Sequence, residues 1–225
     1  MSKVVALVQS RMGSKRLPGK AMSLIAGRPM IQHVLDRASS IVGIDEVCLV
    51  TSVNVQDTPI AHAWNGRVYR GSEWDVLGRM DEAARWAEAD VIVRLTGDCP
   101  LLASDISSLV LQTFLDSSSS YVSNVGRQAK WPDGFDTEVM SVEVLHAAAA
   151  HAMSRHDREH VTAWVRSNHE IEEVQSEHDY GHLKLSVDRP EDLARARKVY
   201  GYMPADDHSA ASVLSAARKC GLLHD

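Results

Sequence analysis

A basic segment near the start of the chain is the part of this sequence best suited to chemistry. Residues 9–20 read QSRMGSKRLPGK and directly follow an apolar run at Val4–Val8. The segment contains no acidic residue, although the whole chain carries a formal net charge of -6. Backbone N–H groups of a glycine-punctuated loop and cationic side chains both suit phosphate oxygens. The cations are Arg11, Lys15, Arg16 and Lys20. The segment therefore predicts an anion-binding loop at the end of a buried strand.

The spacing of its glycines excludes two common phosphate-binding loops. A Walker A loop has four residues between its first glycine and its Gly-Lys-Ser/Thr triplet. Here five residues separate Gly13 from Gly19, and Ala21 follows Lys20. The segment does not fit G-x-G-x-x-G either. The alternative interpretation is a basic surface turn that binds no ligand.

Two aspartates follow two other predicted strands. Asp98 lies in LTGDCP at residues 95–100, and Asp188 lies in LSVDRP at residues 185–190. Because ligands bind beyond the carboxyl ends of the strands in an open parallel sheet, Asp98 should project into the crevice that holds the basic loop. Mg²⁺ takes one or two protein carboxylates and completes its shell with water and phosphate oxygens, so the pair predicts a Mg²⁺ site. The alternatives are turn chemistry for Asp98 and an N-cap for Asp188; Asp192 is interpreted as first-turn helix electrostatics.

The elements that must position these residues alternate between strands and helices. Apolar runs predict strands at Val4–Val8, Glu46–Thr51, Arg67–Arg70, Val91–Leu95, Tyr121–Asn124, Thr137–Ser141, Glu172–Ser176 and Leu183–Val187. Helical spacing predicts helices at Pro29–Ile41, Asp75–Glu88, Ser104–Asp116, Val142–His151, Asp157–Ser167, Pro190–Tyr200 and Ala210–Cys220, with a short helix opened at Asp57. Asp57 and Ser104 are the expected N-caps. This order of βαβ units predicts an α/β fold with a mostly parallel sheet.

Four segments resemble signatures of the sugar-acid cytidylyltransferases, the group that includes the acylneuraminate and 3-deoxy-manno-octulosonate cytidylyltransferases. Residues 11–20 match R-x-G-S-x-R-L-P-G-K, and residues 70–79 match R-G-S-x-x-D-V-L-x-R. Residues 132–139 and 157–162 resemble P-D-G-x-D-x-E-V and D-R-E-H-V-T of the branch named after the spore coat polysaccharide biosynthesis protein SpsF. The chain is therefore similar to this family over most of its length.

The length of 225 residues predicts one domain over residues 1–225. The resemblance implies that it is built on the three-layer, Rossmann-like (GT-A-like) sheet of the nucleotide-diphospho-sugar transferases. An irregular insert at about residues 121–170 would bind the acceptor and form a homodimer. The basic loop would wrap the triphosphate of CTP, with Lys20, Arg16 and Asp98 as catalytic residues and Asp98 and Asp188 as metal ligands. The implied nucleotide-binding residues are Val8, Gln9, Arg11, Gly13, Ser14, Arg16, Lys20, Asp75, Arg79, Thr96 and Gly97.

The polar segments at residues 131–139 and 157–162 are interpreted as an acceptor pocket. The residues expected to bind the acceptor are Asp133, Asp136, Glu138, Arg158 and His160. A cationic side chain would hold an acceptor carboxylate, and the acids would accept hydrogen bonds from hydroxyls. The alternatives are a solvated turn and the acidic start of a helix. Asp75 could likewise be only an N-cap that pairs with Arg79 one turn later.

The predicted reaction is transfer of CMP from CTP to a hydroxyl of an acidic sugar, with release of pyrophosphate and Mg²⁺ as cofactor, in the synthesis of a surface polysaccharide or glycan. Such chemistry depends on positioning and charge neutralisation. A glycosyltransferase with the usual Asp-x-Asp metal motif is disfavoured, because that triplet does not stand at the fourth strand end. The alternatives are a phosphate or phosphonate acceptor and a non-catalytic nucleotide-binding protein.

Composition disfavours several other classes of protein. The acidic balance argues against bulk nucleic-acid binding, which depends on neutralising phosphates. No apolar stretch approaches the roughly 18 residues of a membrane span, and the first residues lack a signal-peptide pattern. Cys48, Cys99 and Cys220 show no framework spacing, which fits a reducing compartment. We therefore expect a cytoplasmic enzyme whose partners are CTP and a small acidic acceptor, with neither a membrane nor a nucleic acid involved.

Overall fold

A mostly parallel sheet forms the centre of the computed structural model, which describes residues 2–126 and 128–223. The strands are β1 (Val4–Gln9), β2 (Leu24–Ile25), β3 (Arg28–Pro29), β4 (Glu46–Ser52), β5 (Arg67–Gly71), β6 (Val91–Thr96), β7 (Tyr121–Ser123), β8 (Glu138–Ser141) and β9 (Glu172–Glu173). The helices are α1 (Met30–Ser39), α2 (Thr58–His62), α3 (Val76–Trp86), α4 (Ser104–Asp116), α5 (Val142–His151), α6 (Arg155–His160), α7 (Ala163–Asn168), α8 (Pro190–Tyr200) and α9 (Ala210–Lys219). β2 and β3 form a separate small hairpin.

The strand order of the central sheet is β5-β4-β1-β6-β8-β7-β9. β1 lies parallel to β4 and to β6, whereas β8 runs antiparallel to both of its neighbours. Gln9 at the end of β1 is in register with Val50 on β4 and with Thr96 on β6. The carboxyl ends of these central strands therefore meet at one edge, where ligands bind in an open α/β sheet. The predicted α/β fold with a mostly parallel sheet is confirmed.

The alternating burial of β1 explains why helices cover both faces of the sheet. Val4, Ala6 and Val8 belong to a core cluster that includes α1 and α4, whereas Val5 and Leu7 belong to a second cluster with α3 and α5. Successive strand residues point to opposite faces, so a continuously apolar strand must be covered on both. None of the helices in the described part of the chain has the length and apolar character that crossing a membrane requires.

The single helix expected at Asp157–Ser167 is wrong, because two short helices, α6 and α7, take its place. Val161 separates them with φ 58° and ψ -63°, and Thr162 N donates to His160 O at 2.6 Å. This is the geometry of a γ-turn, which is strained and rare for a β-branched residue. The Val161 side chain is fully buried in the cluster that contains α3 and α5, so tertiary packing holds the turn.

The strand expected at Leu183–Val187 is also wrong. This segment makes one isolated bridge, between Lys184 and Asp133. Leu185 N and Ser186 N both donate to Asp133 O, at 2.6 and 2.9 Å, so its hydrogen bonds go to a loop instead of a sheet strand. The segment is apolar because Leu183, Leu185 and Val187 pack in a third core cluster with α8 and α9.

Neither expected N-cap side chain makes a capping hydrogen bond, because each has a distant partner. Asp57 does occupy the N-cap position of α2, whereas the expectation for Ser104 is wrong because it is the first residue inside α4. Ser104 Oγ donates to Arg37 O at 2.8 Å, and the N-cap position of α4 is Ala103. The Asp57 carboxylate accepts from Met12 N at 2.7 Å and makes no capping bond to α2. Asp57 therefore ties the basic loop to the start of α2.

Candidate active site

A cavity of about 410 Å³ lies at the carboxyl ends of β1 and β6. The structure brings nine of the eleven predicted nucleotide-binding residues together in its wall: Gln9, Arg11, Gly13, Ser14, Arg16, Lys20, Arg79, Thr96 and Gly97. Asp98 and Asp188, the predicted metal ligands, and His160 line the same cavity. Ser10, Lys15, Val76 and Glu159 also line it without having been predicted as ligands. The basic loop and the aspartates therefore form one site.

The two remaining predicted nucleotide-binding residues lie outside the wall of the cavity. Val8 is completely buried in the sheet. Asp75 is the N-cap of α3, where its Oδ1 accepts from Gly78 N at 2.9 Å, and Arg158 Nε donates to the same oxygen at 2.8 Å. Burial opposes ionisation of this carboxyl group, but the hydrogen bonds from Arg158 and Gly78 outweigh it and lower the pKa of Asp75. The alternative of an Asp75 N-cap is confirmed, but its partner is Arg158 and not Arg79.

The basic loop is held in shape by its own backbone. Ser14 N and Gly19 N both donate to Met12 O, at 2.8 and 3.1 Å. Gly19 adopts φ 71°, a left-handed conformation that glycine reaches without steric cost. Because Asp57 binds Met12 N from outside, the turn is fixed at both ends, and Arg16 and Lys20 project into the cavity.

The two predicted metal ligands meet at the ammonium group of Lys20. Lys20 Nζ lies 2.9 Å from Asp98 Oδ2 and 3.2 Å from Asp188 Oδ1. Arg16 Nη2 lies 2.7 Å from the same Asp188 oxygen, and Lys184 Nζ lies 3.0 Å from the other. Burial raises the pKa of Asp188, but hydrogen bonds and charges from Lys184 and Lys20 outweigh it, and the pKa is lowered. The carboxyl groups of Asp98 and Asp188 therefore converge on one cationic centre.

The Asp188 carboxyl group can face the Lys20 ammonium group because it does not cap the following helix. The N-cap of α8 is Arg189. Asp192 closes the cap, since its Oδ2 accepts from Asp188 N and from Arg189 N, both at 3.0 Å. Val187 N donates to Asp98 O at 2.8 Å, which fixes the two aspartates beside each other. Asp192 is thus the helix-start acid that the sequence indicated, and the N-cap alternative for Asp188 is wrong.

Arg79 is the most deeply buried cation of the cavity wall, with 2% of its surface exposed. Its Nη1 donates to Ser72 O, and its buried Nε has no hydrogen-bond partner among the described residues. Burial, followed by repulsion from Arg11, lowers the pKa of Arg79. Burying a charge whose hydrogen-bonding groups are only partly satisfied is costly, so this guanidinium and Arg11 favour an anion in the cavity.

The predicted acceptor residues fall into different environments. His160 lines the cavity, and its neighbour Glu159 lies 3.4 Å from Arg11 Nη2. Arg158 lies outside the wall, where its Nη1 donates to Ala149 O and Ala152 O, both at 3.0 Å. Arg158 therefore joins the end of α5 to the start of α3, and its predicted contact with an acceptor carboxylate gains no support from this position.

The three predicted acceptor acids also lie outside the wall of the cavity. Glu138 is 3% exposed and is bound by Arg94 and Arg166. Asp133 is exposed, and its backbone carbonyl accepts hydrogen bonds from the N–H groups of residues 185 and 186. Burial raises the pKa of Asp136 to about 7, and the charges of Asp133, Glu138 and Asp98 add to the effect. The pKa of Asp136 is therefore raised in part by the charge of Asp98, a residue of the cavity wall.

Comparison with known proteins identifies the family. The family model described as cytidylyltransferase matches residues 5–207. The chain belongs to the cytidylyltransferase family. It is therefore a CTP-dependent nucleotidyltransferase, and the resemblance inferred from the motifs is confirmed.

Among relatives, the spore coat polysaccharide biosynthesis protein SpsF of Bacillus subtilis is 27% identical over 213 residues, covering 89% of this chain and 87% of SpsF. The 3-deoxy-manno-octulosonate cytidylyltransferase of Escherichia coli is 35% identical over 117 residues, covering 52% of this chain and 48% of that enzyme. The chain thus matches about half the length of the latter. A cytidylyltransferase structure from Leptospira borgpetersenii superposes with a TM-score of 0.93 at 28% identity, covering 98% of this chain and 96% of that one.

Proposed function

We propose that this enzyme transfers CMP from CTP to a hydroxyl of an acidic sugar and releases pyrophosphate. The observation that carries the proposal is the meeting of Asp98, Asp188 and Lys20 at one point, in a cavity whose wall also holds the buried Arg79, whose Nε has no hydrogen-bond partner among the described residues. Carboxylates and cations arranged together in this way suit a metal-bound polyphosphate better than a neutral ligand.

The basic loop and Arg79 provide the site for the triphosphate. Arg11, Arg16 and Lys20 come from the loop, whereas Arg79 approaches from α3. Charge-assisted hydrogen bonds to phosphate are roughly twice as strong as neutral ones. A bound triphosphate would also remove the repulsion between Arg11 and Arg79, so the protein's own electrostatics favour this ligand.

A divalent cation fits the two aspartates. Asp98 and Asp188 offer oxygens that already share the cation Lys20, and Mg²⁺ is commonly bound by one or two carboxylates together with substrate phosphates. When bound, Mg²⁺ would supply Lewis-acid neutralisation of the phosphates. Lys20 and Arg16 would offset the charge that develops on the α-phosphate and on the departing pyrophosphate as the acceptor hydroxyl attacks.

An acidic sugar is the proposed acceptor because of the relatives and the surroundings of the cavity. The E. coli relative is named for an acidic sugar, and SpsF for polysaccharide biosynthesis. His160 lines the cavity, and Asp136 lies close enough to Asp98 for their charges to interact. We assign contact with the acceptor to these two residues first, with Asp133 and Arg158 as further candidates.

We also propose a homodimer formed through residues 121–170. Gel filtration tests this proposal, and a homodimer should elute at twice the mass of one chain.

Pyrophosphate release tests the reaction. Each of the four NTPs is supplied with Mg²⁺ and a panel of sugar acids, with phosphonates and phosphates as the competing acceptor class. We expect CTP-dependent release with a sugar acid and a loss of roughly 100-fold or more in Asp98→Asn and Lys20→Ala. Asp116→Asn, on the exposed end of α4, is the matched control and should retain full activity. Release only with a phosphonate or phosphate would refute the acceptor class, and CTP binding without release from any acceptor would favour a non-catalytic role.

A further inference from the structure

Gln9 is the residue of the cavity wall whose side chain connects to a buried charged cluster. Its backbone is fixed by the sheet, because Gly97 N donates to Gln9 O at 2.8 Å and the next residue, Ser10, donates from N to Val50 O at 3.1 Å. The side chain is therefore the part of Gln9 that remains to contact a ligand. It lies beside Ser10 and Thr96, so the neutral hydrogen-bonding groups of the wall gather at adjacent strand ends.

The charged cluster is centred on Glu138. Arg94, on β6, donates from Nη1 to Glu138 and from Nη2 to Gln9 Oε1 at 3.4 Å. Arg166 Nη2 lies 3.1 Å from Glu138 Oε1, and the hydroxyl of the fully buried Tyr121 donates to the same oxygen. Burial raises the pKa of Glu138, but Arg94 and Arg166 outweigh it and the pKa is lowered. The carboxylate is therefore ionised and holds Arg94 in one position.

The position of Arg94 decides which way the carboxamide of Gln9 faces. A guanidinium group has only donors, so Gln9 must present its carbonyl oxygen Oε1 to Arg94. The amide nitrogen Nε2, with its two N–H groups, is then the part available to a ligand. An amide side chain that could otherwise donate or accept has become a donor.

We infer that Gln9 Nε2 donates to N3 of the cytosine ring, and that Arg94 and Glu138 are positioning residues for this contact. The inference rests on the proposed use of CTP. In cytosine N3 is an acceptor, whereas in uracil N3 carries a proton. The same Gln9 donor would face an N–H of UTP, leaving both donors unpaired. A site built to form a hydrogen bond rejects a ligand that cannot form it, so this contact selects CTP over UTP.

Calorimetric binding of CTP and UTP with Mg²⁺, without an acceptor, tests the inference. Wild type should prefer CTP, so the ratio of the UTP dissociation constant to the CTP dissociation constant should exceed one. Gln9→Met keeps the length of the side chain but has no hydrogen-bond donor, and it should reduce this ratio about tenfold. Gln9→Glu places one carboxylate oxygen on Arg94 and the other, an acceptor, toward N3. The ratio for this variant should therefore fall further, in favour of UTP. Added repulsion of the triphosphate affects both nucleotides equally and cancels in the ratio.

Two other variants separate positioning from general effects. Lys20→Ala, in the phosphate-binding loop, should weaken CTP and UTP together and leave their ratio unchanged. Arg94→Lys keeps a charge against Glu138 but loses the second donor nitrogen that reaches Gln9, so it should lower the ratio in the direction of Gln9→Met. Thermal unfolding verifies that the variant is folded. Arg94 does not line the cavity, so a change in the ratio would show that it acts through Gln9.

The outcomes are distinguishable. An unchanged ratio in folded Gln9→Met would overturn the assignment of Gln9, while the CTP preference of wild type would still support the proposed function. Equal binding of CTP and UTP by wild type would overturn both. An Arg94→Lys variant that is folded and retains the full ratio would refute the positioning role of the cluster.

Discussion

Replacing Asp136 by Asn should stabilise this enzyme at alkaline pH while lowering its activity. Burial raises the pKa of Asp136 to about 7 from an ordinary value of 3.8, and nearby Asp133, Glu138 and Asp98 add like charge. A neutral side chain of the same shape removes the need to ionise a group in this environment. The effect should therefore grow with pH.

The magnitude follows from the two pKa values of Asp136. Between about pH 4 and pH 7 the folded state retains a proton that the unfolded chain has released, so the folded state binds more protons and the free energy of unfolding falls as pH rises. Each pKa unit corresponds to about 1.4 kcal/mol, so ionised Asp136 costs about 4 kcal/mol above pH 7. Asp136→Asn should be more stable by about 2–4 kcal/mol at pH 8 and within about 1 kcal/mol of wild type at pH 4.

Urea unfolding of both proteins at pH values from 4 to 9 measures the difference. Asp116→Asn, on the exposed end of α4 and not among the charges that raise the pKa of Asp136, is the matched control for loss of one negative charge and should show no comparable rise. A constant offset between wild type and Asp136→Asn across the whole range would refute the argument. In the pyrophosphate assay the variant should lose turnover, because perturbed carboxyl groups beside a cavity are typical of functional sites.

Two other substitutions test the packing around the cavity. Glu138→Gln leaves Arg94 and Arg166 without their shared carboxylate and should lower the free energy of unfolding in urea by about 3–5 kcal/mol at neutral pH. Glu143→Gln, at an exposed position, is the control and should lower it little. Equal stabilities of the two variants would contradict the buried ion-pair cluster. Gly97→Ala should lower stability by about 1–3 kcal/mol and weaken CTP binding, since its Cβ would lie 2.7 Å from Ser10 Cβ and 2.9 Å from Gln9 O. Gly13→Ala is the control, because its Cβ would meet nothing within 4 Å, and a similar loss of stability in both would refute the steric reasoning.

The first half of the fold could be predicted from sequence because its signals are local. β1, β4 and β6 are apolar strands in a parallel sheet, and their helices carry one apolar face each. The strand-end rule then placed the basic loop and Asp98 at one edge, and the structure agrees. The β2–β3 hairpin was not predicted, because two-residue strands leave no alternation to detect.

Features set by distant contacts could not be predicted in the same way. Asp57 stands before Thr58 and Pro59 and has the sequence signal of an N-cap, but its partner Met12 is 45 residues earlier in the chain. Val161 lies in a continuous helical pattern, and only its burial against other helices turns the chain there. In both cases the tertiary contact outweighs a valid local preference.

The convergence of Asp98 and Asp188 was predicted correctly although one step toward it was wrong. Asp188 was expected at the end of a sheet strand, yet residues 183–187 form none. Hydrogen bonds from Val187 N to Asp98 O and from Lys20 Nζ to Val187 O, together with the cap made by Asp192, place Asp188 at the same edge. The strand-end expectation therefore succeeded for Asp188 because loop hydrogen bonds replaced the strand.

The polar segment at residues 131–139 shows why densely spaced polar residues do not all share one role. Glu138 stands opposite Arg94 in the antiparallel register of β8 and β6, and facing residues on paired strands interact. A pairing of β6 with β8 can be identified only once the topology is known, so Glu138 resembled an exposed acceptor ligand in the sequence. Asp136 lies in the loop before β8, where no ion pair joins it to a cation of residues 2–126 or 128–223. The same short motif therefore supplies a buried ion pair beneath Gln9 and, near Asp98, the acid that we propose first as a ligand for the acceptor.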